Sequence, residues 1–244
     1  SSSPLSDTKN CEVRLALMSE RESLSAAVKY GLEFARERLA GKRILALTGA
    51  GISTDSGIPD YRGEGRVARH PMTFDLFMGS HQAQARYWAR SFIGYSRIAE
   101  AKPNSGHFAI AHAEAIGRVV QVITQNVDAL HQKAGTKEVI DLHGRLDRVK
   151  CMNCGSQYAR DAIDFQLAEL NPHVSKSLDF EFTPDGDAEV DVDANFTVPT
   201  CDKCGGTLKP DVVFFGESVP EPIVALAMQK LDDCEALLVA GTSL

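Results

Sequence analysis

Apolar runs of strand length alternate with amphipathic helical segments over most of the chain. In residues 21–40 apolar side chains recur every three or four positions, which predicts a helix that ends near Gly41. The run RILALTGAG follows directly and predicts a buried strand that enters a glycine-rich turn. This segment therefore predicts one helix and one strand of a layered fold.

The same alternation recurs further along the chain. Pro103 and Asn104 introduce a helix through Ile116, after which RVVQVITQN predicts the next strand and EVIDL a third. Near the C-terminus, DVVFF and ALLVAGTSL predict strands around a helix from Pro222 to about Asp233. Wholly apolar strands that alternate with helices predict an α/β fold, in which a parallel sheet is covered by helices on both faces.

Residues 150–207 break this alternation and predict a small module inserted into the α/β domain. The region is bounded by two C-x-x-C pairs and contains an acidic stretch with glycine and proline, FTPDGDAEVDVDANFTVP. Two such pairs match a tetrahedral structural Zn²⁺ site that leaves no position for water. The predicted metal ligands are Cys151, Cys154, Cys201 and Cys204. A redox dithiol and an iron site are the alternatives, whereas Cys11 and Cys234 are expected to be ordinary thiols.

Composition and charge narrow the class of partner. The 244 residues are 43% hydrophobic and 24% charged, which is ordinary for a globular protein. A net charge of −7 and a pI near 5.5 disfavour nucleic-acid binding and suit a basic partner such as a lysine-bearing protein. No apolar run approaches the length of a membrane span and no secretory signal is present, so we expect neither nucleic acid nor a membrane as a partner.

Polar side chains are concentrated where the second predicted strand ends. The stretch TQNVDALHQKAG places Gln125, Asn126, Asp128 and His131 directly after this strand. The carboxyl ends of parallel strands are where open α/β folds bind ligands, so these side chains are candidates for a binding site. The alternative is an ordinary polar turn in which Asp128 caps the helix that follows.

The loop after the first strand, TGAGISTDSGIPDYRGEGR, predicts a nucleotide site. Gly49 and Gly51 permit a tight turn in which backbone N–H groups approach a phosphate. The standard dinucleotide fingerprint is absent because Thr54 replaces its third glycine, which argues against an ordinary dehydrogenase. Tyr61 and Arg62 are suited to clamping phosphates and shielding a reactive centre. The alternative is a strand–loop–helix turn with incidental glycines.

His143, in DLHGRL, is the candidate general base. It follows a predicted strand at the same edge of the sheet as the two loops, and an imidazole titrates near neutrality. The alternative is a histidine that only fills a place in the core or on the surface.

These motifs together resemble the sirtuin family, the NAD-dependent protein-lysine deacylases. The resemblance rests on GAGIS, GIPDYR, TQNVDALH, HG, the four zinc cysteines, KPDVVFFGE and GTS, in that order, and it covers the chain from about Ser25 onward. TGAGISTDSGIPDYR and the long gap between the cysteine pairs look most like class II sirtuins, the mitochondrial lipoamidase/ADP-ribosyltransferase type and its bacterial relatives.

The resemblance assigns roles residue by residue. Catalysis falls to His143 as the general base, with Asn126 beside it. The substrate peptide is expected to pair through backbone hydrogen bonds with Val212, Val213, Phe214, Phe215, Gly216 and Glu217. The expected NAD contacts are Gly49, Ala50, Gly51 and Ser53, then Asp60, Tyr61 and Arg62, then Gln125, Asn126, Val127 and Asp128, and finally Gly241, Thr242 and Ser243.

The resemblance also implies a reaction and a domain plan. The acyl group would pass from lysine to ADP-ribose with release of nicotinamide, using NAD and one structural Zn²⁺. A Rossmann-like NAD-binding domain would span residues 21–149 and 208–244, with the zinc-binding module at 150–207 and an N-terminal tail at 1–20. The family's fold continues beyond GTSL, so the C-terminal part of the domain is expected to be incomplete. We expect a monomer in the bacterial cytoplasm, or alternatively the mitochondrial matrix, that acts on acyl-lysine proteins.

Tyr87 and Arg90, in RYWAR, bear on which acyl group is removed. In sirtuins that remove succinyl or malonyl groups, such a pair binds the acyl carboxylate, and residues three apart share a helix face. The alternative is a surface helix with a buried Trp88. Two other functions stay open: an NAD-dependent protein mono-ADP-ribosyltransferase, and a non-catalytic zinc protein that binds NAD or ADP-ribose.

Overall fold

The structure is a computed structural model that describes residues 25–61, 71–174, 183–186 and 195–242. Its helices are α1 (Ala26–Leu39), α2 (Phe74–Gly79), α3 (His81–Glu100), α4 (Ser105–Ala115), α5 (Leu130–Lys133), α6 (Arg160–Leu170) and α7 (Glu221–Asp232). Its strands are β1 (Ile44–Thr48), β2 (Val119–Thr124), β3 (Val139–Asp141), β4 (Gly144–Cys151), β5 (Gln157–Ala159), β6 (Leu208–Val212) and β7 (Ala236–Ala240). A short 3-10 helix covers Ala50–Ser56.

The predicted parallel sheet is confirmed, with strand order β3-β2-β1-β7. The last residues of neighbouring strands are in register: Thr48 of β1 lies beside Thr124 of β2 and Ala240 of β7. Thr124 in turn lies beside Asp141 of β3. All four strands therefore end at one edge, and the loops that follow them meet there.

Helices cover both faces of this sheet because successive strand residues point to opposite sides. On one side Ile44 and Ala46 pack in a cluster with Ile110 of α4. On the other side Leu45 packs in a cluster with Ala227 of α7. Alternate residues of β1 therefore pack against helices on opposite faces, which confirms the predicted α/β layering.

Helix α4 starts directly after Asn104, as predicted from Pro103 and Asn104. The Asn104 side chain accepts a hydrogen bond from the Gly106 N–H at 2.9 Å, and the Asn104 N–H donates to Nδ1 of His107 at 3.3 Å. These reciprocal bonds satisfy backbone groups that a helix start leaves unpaired. They also fix His107 where it reaches the active-site edge.

A second, antiparallel sheet has the strand order β5-β4-β6. The prediction that DVVFF belongs to the parallel sheet is wrong, because β6 pairs antiparallel with β4, with Lys209 opposite Lys150. An apolar run signals burial but carries no information about which strand lies beside it. The small sheet starts at Gly144 and ends at Val212, beyond the range predicted for the inserted module. The domain bounds stay a prediction, and the tail 1–20 lies outside the described residues.

The largest hydrophobic core joins the small sheet to α3. Trp88 of α3 is fully buried, and its Nε1–H donates to the Leu208 carbonyl at 3.0 Å. Arg160 of α6 is also fully buried and donates to the Ser91 carbonyl and hydroxyl of α3, each at 3.1 Å. This long helix is therefore bonded to the small sheet through Trp88 and to α6 through Ser91.

None of the helices within the described residues has the length and apolar character needed to cross a membrane.

Candidate active site

The glycine turns after β1 and β7 touch each other at the sheet edge. The Gly51 N–H donates to the Gly241 carbonyl at 2.8 Å. A Cβ at Gly241 would lie 2.2 Å from the Ile52 nitrogen, and a Cβ at Gly49 would lie 2.6 Å from Cβ of Thr242. Both approaches are closer than any side chain permits, so glycine is required here. The two turns predicted to bind phosphate therefore lie in direct contact.

Ser53, at the buried side of the first turn, connects the two predicted cofactor loops. Its hydroxyl donates to Oδ2 of Asp128 at 2.7 Å and accepts from Nδ2 of Asn126 at 3.0 Å. The same Asn126 amide also donates to the Gly49 carbonyl at 3.1 Å. Asn126 and Asp128 are both buried, and these bonds hold them in one orientation each.

Asp128 also bonds the start of α5, although the N-cap residue is Ala129 and not Asp128 as in the alternative. Its Oδ1 accepts a hydrogen bond from the Leu130 N–H, the first of α5, at 2.8 Å. Between them, Ala129 has a left-handed backbone with φ of 60°. Such a conformation is costly for a residue with a Cβ and is found most often at functional sites. The carboxylate is therefore anchored on one side by α5 and on the other by Ser53.

His143 lies in the position expected of a general base. Its Nδ1 is 3.0 Å from the Gln125 carbonyl oxygen. A carbonyl only accepts hydrogen bonds, so Nδ1 carries the proton and Nε2 keeps a basic lone pair. Burial lowers the pKa of His143 below its ordinary value, and the bond to Gln125 opposes this shift. The imidazole is consequently neutral near pH 7 and able to accept a proton at Nε2.

Gly144 places His143 beside the substrate segment. The φ of Gly144 is +77°, and a Cβ there would lie 2.0 Å from the Asp211 carbonyl oxygen. The His143 carbonyl accepts a hydrogen bond from the Val213 N–H at 2.9 Å. The HG pair of the sequence is thus explained by the direct approach of β4 to the end of β6.

A buried chain of hydrogen bonds under the site was not predicted. Nε2 of His131 lies 2.9 Å from the Thr48 hydroxyl, which donates to the Thr124 hydroxyl at 2.9 Å. Thr124 also accepts from the Asn126 N–H at 3.1 Å. The ring of His107 packs 4.9 Å from that of His131 and faces Ser53. Asn126 and Ser53 were predicted cofactor contacts, and Thr48, Thr124 and His131 lie within quoted motifs, whereas His107 carried no signal in the sequence.

The substrate segment predicted at 212–217 borders both His143 and the cofactor loop. The Phe214 ring is buried 4.9 Å from the ring of Tyr87. Phe215 is half exposed, with its ring 6.2 Å from the ring of Tyr61. The Phe215 carbonyl accepts from the Phe74 N–H at 2.9 Å. These rings, called the aromatic wall below, therefore connect the segment predicted to bind peptide with the loop predicted to bind the cofactor.

The remaining predicted contacts are distributed as follows. The Thr242 hydroxyl donates to Oε1 of Gln125 at 3.4 Å, which joins the β7 turn to the β2 loop. The Val127 carbonyl accepts from the Leu146 N–H at 3.0 Å, which joins that loop to β4. Ala50 begins the 3-10 helix, and Asp60 is half-buried just before Tyr61. The predicted contacts Arg62 and Ser243 lie outside the described residues.

Tyr87 and Arg90 lie one helical turn apart on α3. Tyr87 is buried, with its ring 5.5 Å from that of Phe77, while Arg90 is partly buried. The contact of Tyr87 with Phe214 places this turn of α3 behind the substrate segment.

The four predicted cysteine ligands converge as a metal site requires. Each offers a Sγ, and these atoms all lie within 4.8 Å of one another. The Cys151 and Cys204 sulfurs are 3.5 Å apart, and those of Cys154 and Cys201 are 3.7 Å apart. A tetrahedron with Zn–S bonds of about 2.3 Å needs sulfurs about 3.8 Å apart. Four thiolates at this spacing fit a structural Zn²⁺ that would be held entirely by protein.

Comparison with known proteins identifies the family. The Sir2 family profile matches residues 49–244. A curated relative from Bradyrhizobium diazoefficiens, NAD-dependent protein deacetylase 2, is 50% identical over 207 residues, which are 83% of this chain and 76% of the relative. The chain belongs to the Sir2 family. The family resemblance seen in the sequence motifs is therefore confirmed, whereas assignment to class II stays a prediction.

Other Sir2 relatives and solved structures agree with this assignment. NAD-dependent protein deacylase SIR4 of Monosiga brevicollis is 51% identical over 207 residues, 82% of this chain and 67% of the relative. The solved structure described as Sir2-p53 peptide-NAD+ is 31% identical and superposes with a TM-score of 0.65, covering 86% of this chain and 75% of that one. A Sir2Tm structure bound to a propionylated peptide has the same TM-score at 29% identity, with coverage of 86% and 75%.

Proposed function

We propose that this Sir2-family chain is an NAD-dependent protein-lysine deacylase that transfers the acyl group from lysine to ADP-ribose and releases nicotinamide. The observation that carries the proposal is the bond from His143 to the Gln125 carbonyl at 3.0 Å. It leaves Nε2 of a neutral imidazole able to accept a proton, on a residue that is bonded both to the β2 loop and to the segment 212–217. Relatives about 50% identical are named NAD-dependent deacetylases, and a similar solved structure is described with NAD and a peptide.

The glycine turns and the β2 loop form the NAD site in this proposal. The phosphates bind at the turns after β1 and β7, through groups other than the Gly49 and Gly51 N–H, which already donate to the Ala240 and Gly241 carbonyls. Asn126 and Asp128 hold the nicotinamide and its ribose. Bound NAD supplies an electrophilic ribose carbon and nicotinamide as a leaving group. The protein contributes orientation, because Ser53 fixes both polar side chains before any ligand arrives.

His143 acts as the general base toward a ribose hydroxyl. The proton moves from that hydroxyl to Nε2, and the resulting imidazolium is stabilised by the Gln125 carbonyl already bonded to Nδ1. No rotation of the ring is needed between the two protonation states. Partial burial of the ring keeps competing water away from the reacting groups.

The acyl-lysine protein binds along the segment 212–217 as an added strand. The Val213 N–H is held by His143, and the Val213 carbonyl accepts no hydrogen bond from the described residues. An extended peptide donates to such a carbonyl, and its acyl-lysine then points toward the aromatic wall. Backbone pairing of this kind accepts many sequences, which suits an enzyme that acts on several proteins.

The choice of acyl group is proposed to depend on Tyr87 and Arg90. A guanidinium and a phenol on one helix face bind a carboxylate, which succinyl and malonyl groups carry and acetyl lacks. The position of Tyr87 against Phe214 supports this role. In Arg90→Met, kcat/KM for a succinyl peptide is expected to fall about tenfold or more, with acetyl turnover retained. An equal fall in kcat/KM for the succinyl and acetyl peptides would contradict a role of Arg90 in binding the acyl carboxylate.

The test of the function is turnover of NAD with acetyl-, succinyl- and lipoyl-lysine peptides, followed by mass spectrometry. His143→Ala is expected to lower deacylation by roughly 10²–10⁴-fold because the general base is lost. His112→Ala, a change at an exposed histidine of α4, is the matched control and retains turnover. Full activity in His143→Ala would contradict the assigned mechanism. NAD binding without turnover in the unaltered protein would favour a binding protein, and ADP-ribose on protein would favour the transferase.

We also propose a monomer that works in the bacterial cytoplasm. The bacterial origin of relatives about 50% identical, from Bradyrhizobium diazoefficiens and Mycobacterium avium, supports the location. Light scattering on the purified protein measures the mass, and a mass of two or more chains would contradict the monomer.

A further inference from the structure

We propose that Lys209 and Glu217 are positioning residues that hold the peptide-binding segment in its working conformation. In this proposal Glu217 acts through the backbone of the segment and does not touch the peptide. The resemblance to sirtuins assigns Glu217 a substrate contact, so the proposal changes its role and adds Lys209. It rests on the deacylase function proposed above.

Lys209 is buried and has hydrogen-bond acceptors around its ammonium group. Only 5% of its side chain is exposed. Nζ donates to Oε2 of Glu217 at 3.0 Å, to the Pro210 carbonyl at 3.3 Å and to the Val212 carbonyl. An ammonium has three N–H donors, so these acceptors satisfy all of them. The buried charge thereby connects the start of β6 to the end of the peptide-binding segment.

Glu217 closes the segment into a turn. Its Oε2 accepts from the Phe214 N–H at 2.9 Å as well as from Lys209. The Phe214 carbonyl accepts from the Glu217 N–H at 2.9 Å. The carboxylate oxygen therefore satisfies groups of the protein itself, and its position follows from those bonds rather than from a ligand.

The same lysine also orders an aromatic side chain of the site. Its Nζ lies 4.5 Å from the Phe214 ring centroid and 6.0 Å from that of Phe74. A desolvated cation over an aromatic face is an attractive contact. Phe214 in turn packs against Tyr87, so Lys209 supports the wall of the proposed acyl pocket as well as the peptide-binding backbone.

These contacts predict an effect on peptide binding and not on NAD binding. The groups that Lys209 and Glu217 hold belong to residues 210–217, whereas the glycine turns and the Ser53 bonds are made by other residues. Without the pair, ordering the segment would be added to the cost of binding the peptide. Removing one member also leaves the other charge buried without its partner, so the two are expected to act as a unit.

The experiment compares Lys209→Met, Glu217→Gln and the double variant with the unaltered protein. In each, KM for an acetyl-lysine peptide is expected to rise about tenfold, as for loss of one charge-assisted hydrogen bond, with KM for NAD unchanged. The double variant is expected to be no worse than the more severe single one. Lys137→Met is the matched control. Lys137 is exposed and lies just before β3, at the edge of the sheet away from the site, so this change is expected to leave both KM values unchanged.

A second comparison separates positioning from direct contact. The assay is repeated with peptides that carry arginine or leucine beside the acyl-lysine. A positioning role predicts the same rise in KM for both in Glu217→Gln, whereas direct contact predicts a larger rise for the arginine peptide. Additive effects in the double variant, or equal rises in the KM of peptide and NAD, would also overturn the proposal. If Lys209→Met fails to fold, the Glu217→Gln comparison still decides the question.

Failure of the positioning proposal can be distinguished from failure of the proposed deacylase function. Turnover by the unaltered protein tests the function alone. The ratio of KM values between variant and unaltered protein tests the positioning role alone.

Discussion

At the scale of single residues, burial sets the protonation of the histidines around the site. The pKa of His131 is lowered to about 4 by burial, with a smaller contribution from the neighbouring His107. Burial also lowers the pKa of His107 and of His143. All three are therefore neutral near pH 7. A neutral imidazole can accept a hydrogen bond at one ring nitrogen and donate from the other, as His107 does when its Nδ1 accepts from the Asn104 N–H and its Nε2 faces Ser53.

The buried His131 predicts a pH-dependent loss of stability. The pKa of His131 in the folded protein lies below the ordinary 6.5. Its contribution to the free energy of unfolding is therefore complete above about pH 6.5 and is lost as pH falls toward 4. Linkage puts the loss at roughly 2 kcal/mol by about pH 5. His131→Gln retains a donor toward Thr48 but does not titrate. Urea unfolding measures how far the free energy of unfolding falls between neutral pH and about pH 5. This decrease is expected to be smaller in the variant by about 2 kcal/mol, and equal decreases in both proteins would contradict the assignment.

At the scale of secondary-structure elements, the junction of β4 and β6 positions His143, the proposed general base. Gly144 allows β4 to start where a Cβ would lie 2.0 Å from the Asp211 carbonyl oxygen. The backbone bond between Val213 and His143 spans the same junction. A displacement of β4 at this point therefore moves His143 and the substrate segment together.

Gly144→Ala tests this junction. We expect a loss of stability well above the roughly 1–2 kcal/mol that a left-handed backbone costs an alanine, together with loss of deacylation. Gly135→Ala is the matched control, since its φ is +99° but a Cβ there would have no atom within 4 Å. Urea unfolding and turnover of both variants supply the comparison. Equal destabilisation would show that the approach of β4 to β6 is not what requires glycine.

Elements with a local signature were predictable from the sequence, and pairings between distant segments were not. The strands β1 and β2 are apolar runs next to glycine, asparagine or proline signals, and the cysteine pairs have a spacing specific to metal sites. By contrast, β6 was assigned to the wrong sheet, because an apolar run does not indicate which strand it pairs with. The contact of Thr48 with His131 joins residues 83 positions apart, and no periodicity encodes such a pair.

The same distinction holds within the site. Gly49, Gly51 and Asn126 belong to motifs and were predicted, and the structure brings them together. Lys209 begins the motif KPDVVFFGE, but the sequence assigned it no role, because a lysine in a sequence is ordinarily a solvated surface residue. Its burial became apparent only when the fold placed Glu217 and two carbonyls around it.

At the scale of the whole molecule, the cysteine cluster is expected to be required for stability. Cys151 and Cys201 are buried members of the largest hydrophobic core, which also contains Trp88. Loss of the metal would leave the four cysteines protonated and without the bonds that hold them together at the edge of that core. Because the same core contains Phe214 of the proposed substrate segment, we expect loss of the metal to disturb that segment through packing.

Zinc removal tests this coupling. The purified protein is expected to contain one Zn²⁺ per chain, and a strong chelator is expected to lower both Tm and deacylation, with recovery on adding zinc. Cys151→Ser is expected to act like chelation, whereas Cys234→Ser, outside the cluster, leaves metal content unchanged. Elemental analysis and thermal unfolding provide the readouts. Full stability without metal, with the cysteines forming disulfides, would favour the redox alternative.

The central claim is that one site transfers an acyl group from lysine to ADP-ribose. The most direct measurement follows nicotinamide, deacylated peptide and O-acyl-ADP-ribose together by mass spectrometry during turnover of an acyl-lysine peptide with NAD. The account predicts that the three products form in equal amounts and that His143→Ala suppresses the last two. Nicotinamide release accompanied by ADP-ribose on protein, with the acyl group still on the peptide, would contradict it.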